Sequence, residues 1–147
     1  MSVPLPTDRI VTTLQVPIRI SECDLMGIVH HANYVLYLEE ARIHFAAVAG
    51  IDYAAVVRNG INLAVIALEI SYRRPLVYGQ TVDVHCWLRE LKSRGMTFDF
   101  ELYSTANGEA TLHTTASVSL LSVSAAGVPT RIPESYAKLL QAMLPPP

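Results

Sequence analysis

Between Ser21 and Arg42 the chain reads SECDLMGIVHHANYVLYLEEAR, and it holds one side chain with no obvious structural task. Asp24 is an isolated carboxylate in a loop with Gly27, ahead of a long and mostly apolar helical pattern. It lies eight residues before Ala32, too far upstream to cap the helix, which is the usual work of an aspartate near a helix start. The remaining ordinary use is a turn carboxylate that bonds its own backbone. A carboxylate not consumed in that way can serve as a nucleophile or a general base. The unpaired N–H groups and positive dipole end of the following helix would favour a negative charge developing beside it. Three residues beyond Asn33 stands Leu36, not Glu or Gln, so no capping box takes up those donors.

The elements that must position this stretch follow from periodicity. Leu14, Val16, Ile18 and Ile20 alternate with polar residues as in a half-buried strand, and Pro17, which cannot donate to a ladder, places it at a sheet edge or a bulge. The helix is expected over 32–49 with Gly50 as its C-cap. Its few polar residues (Asn33, Glu39, Glu40, Arg42, His44) predict a helix enclosed by other structure. Glu39 with Arg42 and Glu40 with His44 are spaced to pair along it. A short helix over 53–58, stopped by Asn59-Gly60, comes next.

From Ile61 the period changes to two. Ile66, Leu68, Ile70 and Tyr72 are expected to share one strand face. Val82, Val84, Cys86 and Leu88 mark a second strand, Phe98, Phe100 and Leu102 a third, and Leu112, Ala116, Val118 and Leu120 a fourth. Short linkers rich in turn formers, at 78–80, 92–95 and 106–108, suit hairpins. An amphipathic segment over 133–143 has Pro133 at the first helical position, and residues 1–10 read as a loose arm. The pattern predicts an α+β fold, one domain over 1–147 with five mainly antiparallel strands curling around one long helix, and residues 133–147 as a C-terminal helix and tail.

Composition narrows the function. The 147 residues are 51% hydrophobic and only 16% charged, against roughly a quarter in typical soluble proteins, which implies a buried subunit interface. A net charge of −2 gives no bulk attraction to nucleic acid or anionic membrane. No run approaches the roughly 20 apolar residues of a membrane span. The start MSVPLPTDRI lacks the regions of a signal peptide, so a cytoplasmic protein is expected. Cys23 and Cys86 lie far apart, in no metal-type spacing, and His30 and His31 have no third ligand nearby.

The pattern D-x-x-G-[IV]-V-x-H-x-N-Y, formed by Asp24, Gly27, Ile28, Val29, His31, Asn33 and Tyr34, resembles the 4-hydroxybenzoyl-CoA thioesterase family of the hotdog superfamily. With Glu39 five residues after Tyr34, and with ISYRRPLVYG at 70–79, it is most similar to the YbgC-like acyl-CoA thioesterase branch. The resemblance implies a hotdog fold, a homodimer or homotetramer, an acyl-CoA substrate, and neither metal nor bound cofactor. It carries the catalytic role onto Asp24, the oxyanion role onto the backbone N–H of His31, and substrate contacts onto Gly27, Val29 and Tyr34. Leu25 and Met26 stand where small residues are common in that family, which would reshape the acyl pocket beside Asp24.

Thioester hydrolysis fits these residue types. The thiol leaves as thiolate without much acid help, so a base or nucleophile and an oxyanion site suffice. Arg73, Arg74, Lys92 and Arg94 form two basic clusters beside strand ends that could grip the phosphates of coenzyme A, or be solvated turn charges. Tyr34 and Tyr37 could line the acyl pocket or belong to the core. Glu39 and Glu40 are rival carboxylates. A hydratase or dehydratase using His30 or His31 with one of them, or a non-catalytic acyl-CoA binding module, are the competing functions.

Overall fold

In the computed structural model, which describes residues 4–147, alternation at period two does build the sheet. Val82, Val84, Cys86 and Leu88 of β3 (Thr81–Leu91) are fully buried, and Phe98, Phe100 and Leu102 of β4 (Gly95–Ala106) and Val118 and Leu120 of β5 (Glu109–Val123) continue the same inner face. With β1 (Val11–Pro17) and β2 (Asn62–Tyr72) these strands form one sheet in the order β1-β3-β4-β5-β2, antiparallel throughout. Pro17 ends an edge strand, where its missing donor costs no ladder bond. The β4–β5 hairpin turns on Asn107 (φ 54°) and Gly108 (φ 80°), the two left-handed residues that a two-residue turn of this hand needs.

The sheet packs on α1 (Asn33–Val48). Its stripe of Tyr34, Tyr37, Leu38, Ala41 and Phe45, at helical spacing, is at most 3% exposed. The helix stops where Gly50 takes φ 89°: the Gly50 N–H donates to Ala47 and the Ile51 N–H to Ala46, closing the last carbonyls. Asp52 caps the short α2 (Tyr53–Arg58) through the Ala54 N–H, and α3 (Glu134–Gln141) follows the sheet. Pro133 is the cap of α3 and lies outside it, with ψ 139°.

Three expectations change. The apolar surface of α1 is not all enclosed within one chain, since Leu36 and Val48 are about half exposed. The four β2 residues expected to share a face do not share one environment: Ile70 packs on the core and Tyr72 sets its ring edge-on to Tyr34, while Ile66 (62%) and Leu68 (42%) are open, Ile66 at a bulge between Val65 and Ala67. Residues 1–3 of the expected arm lie outside the described residues. Its last part is tied down: the Arg9 guanidinium donates to the carbonyls of Leu88 and Arg89, and the Ile10 N–H to Met143. Among the described residues, no helix is long and apolar enough to cross a membrane.

Candidate active site

The chain leaves β1 through a single 3-10 turn, Ile20–Glu22, and then folds back on itself: Cys23 bridges Val29, and Ile28 bridges Val77. Asp24 opens the turn between them. Its carbonyl accepts from Gly27, whose φ of 79° a side chain would strain, and its Oδ1 accepts the Met26 N–H at 2.8 Å. The ordinary use of a turn aspartate is therefore made, yet with one oxygen only. Asp24 remains exposed, and Leu25 and Met26 project from the turn beside it.

The start of α1 faces the same place. Ala32 is its N-cap and supplies no side-chain bond. The Asn33 side chain reaches back to the Glu22 carbonyl, which also accepts the His30 N–H, and the Ala32 N–H donates to His30 Nδ1. The His31 N–H has no acceptor among the described residues, at the positive end of a sixteen-residue helix. The Tyr72 hydroxyl holds the His31 carbonyl at 2.9 Å. The imidazoles of His30 and His31 stack at 4.2 Å and, among the described residues, belong to no group able to hold a metal.

One cleft gathers Asp24, Val29, His31, Tyr34, Arg73 and Arg74, with Tyr72 on its wall. Gly27 shapes the turn and does not line the cleft. Tyr34 is mostly core: only 3% exposed, it accepts the Leu76 N–H on its hydroxyl and sets its ring edge-on to Tyr72. Arg73 and Arg74 are exposed and take part in no ion pair among the described residues. The four basic residues do not meet within one chain. Lys92 and Arg94 sit in the β3–β4 turn at the opposite end of the sheet, Lys92 within 3.6 Å of Glu90. Glu39 and Glu40 lie outside the cleft on the exposed side of α1. Glu39 pairs with Arg42 at 4.0 Å, while the expected Glu40–His44 pair is absent among the described residues. A more enclosed apolar cavity lies elsewhere, between α1, α2 and α3, with Arg42 and Ser122 on its wall.

Nothing local in the sequence marks Glu22, which the fold makes a hub. The side chain is buried, takes the Arg19 N–H (2.8 Å) and guanidinium (3.0 Å), and accepts the Tyr37 hydroxyl at 3.0 Å. Its carbonyl fixes both ends of the loop that carries Asp24. Burial works to raise its carboxyl, but the Arg19 and Tyr37 donors outweigh that and hold it below its ordinary value of 4.5. Burial, and then the bond to Glu22, push the Tyr37 hydroxyl upward. Because the folded carboxyl is depressed, its stabilisation is complete above pH 4.5 and is lost as pH falls through the depressed value. Urea unfolding of wild type and Glu22→Gln should therefore differ most at neutral pH and converge as pH falls below the ordinary 4.5. A difference that stays constant with pH would remove the charged network from the account.

The profile of the thioesterase-like superfamily matches residues 18–140. The chain is 33% identical over 107 residues, 73% of its length and 77% of the relative's, to YneP of Bacillus subtilis strain 168, which carries the provisional name of an acyl-CoA thioesterase. Protein TT1821 of Thermus thermophilus superposes with a TM-score of 0.83 at 30% identity, over 89% of this chain and 98% of that one. The 4-hydroxybenzoyl-CoA thioesterase of Pseudomonas sp. strain CBS-3 gives 0.80 at 21% identity, over 89% and 99%, a likeness of fold alone.

Proposed function

The chain belongs to the thioesterase-like superfamily, and on that basis we propose that it hydrolyses acyl-CoA thioesters in the cleft that Asp24 shares with the start of α1. The observation that carries this reading is the meeting there of an exposed carboxylate and, at His31, a backbone donor without an acceptor among the described residues. Asp24 either attacks the thioester carbonyl, forming a mixed anhydride that water then opens, or takes a proton from the water that attacks. In both routes the carbonyl oxygen becomes an oxyanion facing the His31 N–H, the C–S bond breaks, and coenzyme A leaves as a thiolate; it takes up the proton that water releases on opening the anhydride in the first route, or the one that Asp24 holds in the second. Arg73 and Arg74 take the phosphates of the coenzyme, and Leu25 and Met26 give the acyl group an apolar wall. Thiol release from acetyl, medium-chain, long-chain and aromatic acyl-CoAs tests the reaction class. Turnover of at least one is expected. Binding without turnover of any would point instead to a binding module.

The functional unit is an oligomer in this proposal. Two copies pair through β2, whose open edge exposes Val65, Ile66 and Leu68, so that a continuous sheet forms. Antiparallel pairing sets the Tyr72 end of one strand beside the Asn62 end of the other. The β3–β4 turn of the second copy, with Lys92 and Arg94, then comes to the same end of the joint sheet as the first copy's Asp24 cleft. Light scattering at micromolar concentration should give at least twice the 16.2 kDa chain mass. Ile66→Lys should lower that mass and activity together, and a monomeric wild type would overturn the arrangement.

A further inference from the structure

The ladder between β4 and β5 skips one residue: Leu102 faces Thr114, the next pair is Tyr103 with Leu112, and His113 is left over as a bulge. Bulges re-aim a side chain out of the regular alternation. This one turns the His113 ring inward, where it is 3% exposed and faces the segment that carries the two exposed arginines of the cleft. The His113 carbonyl accepts the N–H groups of Arg73 (2.8 Å) and Arg74 (3.1 Å). Its ring Nδ1 lies 3.1 Å from the carbonyl oxygens of both Arg74 and Pro75. Carbonyls only accept, so Nδ1 bears the proton. Nε2 lies 2.6 Å from the Ser104 hydroxyl, which holds the ring from its other side.

We propose that His113, through the bulge it forms in β5, is a positioning residue for coenzyme recognition: it clamps the backbone of Arg73, Arg74 and Pro75 so that both guanidinium groups are presented to the phosphates of the substrate. Four contacts from one residue fix three consecutive residues whose side chains stay exposed. The neighbouring anchors, the Leu76 N–H on the Tyr34 hydroxyl and the Tyr72 hydroxyl on the His31 carbonyl, fix the cleft on either side but leave the arginine pair to His113. The inference rests on the reading that Arg73 and Arg74 bind the coenzyme.

The test compares an acyl-CoA with the matching acyl-pantetheine, which has the same thioester and no phosphate. Arg73→Ala and Arg74→Ala report on the underlying reading by raising KM for the CoA ester alone. His113→Gln, whose amide sits one bond too far out to replace Nδ1, should raise that KM about tenfold, the loss of roughly one charge-assisted contact. It should leave kcat within twofold and the pantetheine ester unaffected. His113→Asn keeps a donor on the atom next to Cγ, where Nδ1 sits, and should restore the wild-type KM. Ser104→Ala, a smaller change that removes the partner of Nε2 and loosens the ring, should move KM the same way by a lesser factor and serves if His113→Gln does not fold. Arginine variants that discriminate the two esters, beside His113 and Ser104 variants that do not, would overturn the inference while sparing the reading. Arginine variants blind to the phosphates would overturn both.

Discussion

Phe45→Ala should destabilise the protein by about 3–5 kcal/mol, the usual cost of removing a fully buried phenylalanine. Phe45 is 0% exposed, sits in the middle of the α1 stripe and meets the Phe98 ring edge-on with centroids 5.2 Å apart, a geometry that adds to its area burial. It also borders the cavity beneath the helix, so the walls around the deleted ring are already short of partners and have little to collapse onto. Against a total stability typically of about 5–15 kcal/mol, such a loss leaves a marginal protein. Urea unfolding at matched protein concentration measures it, since association adds an apparent stability that depends on concentration. A loss below about 1 kcal/mol would mean that α1 is not held by this contact.

How far the sequence reaches depends on whether a feature is local. The buried run Val82, Val84, Cys86, Leu88 and the Gly50 stop of α1 are written in neighbouring residues and appear as read. The Asp24 turn and the start of α1 share one short stretch, so their meeting was legible too. Tyr72 holding the His31 carbonyl spans 41 positions, and the Tyr37 hydroxyl reaches Glu22 across 15, so neither follows from spacing. His113 becomes a bulge only through its pairing with β4, and a one-residue register change reverses the face of every later side chain. The scatter of the basic clusters could have been derived. β2 and β3 run in opposite senses in the antiparallel order, so Arg73 and Arg74 after one and Lys92 and Arg94 after the other must lie at opposite ends. That Ile66 and Leu68 of β2 stay open was not legible, because alternation identifies a face and not what covers it.

Asp24→Asn carries the largest effect on turnover. Asparagine is isosteric, keeps an Oδ1 acceptor for the Met26 N–H, and so preserves the turn while removing the charge that the proposed mechanism uses to attack or to accept the proton. The loss of a positioned base or nucleophile typically costs about 10²–10⁴ in rate. Substrate affinity should change little, because the groups proposed to bind the substrate, Arg73, Arg74, the cleft wall and the His31 N–H, are untouched. The most direct measurement is kcat and KM for wild type and Asp24→Asn, followed by thiol release from the best acyl-CoA of the panel, with matching circular dichroism for the two proteins. The account expects kcat to fall about a thousandfold, within that typical range, at a KM unchanged within a few-fold. A variant that retains more than a tenth of wild-type kcat would contradict it and place the chemistry on another group.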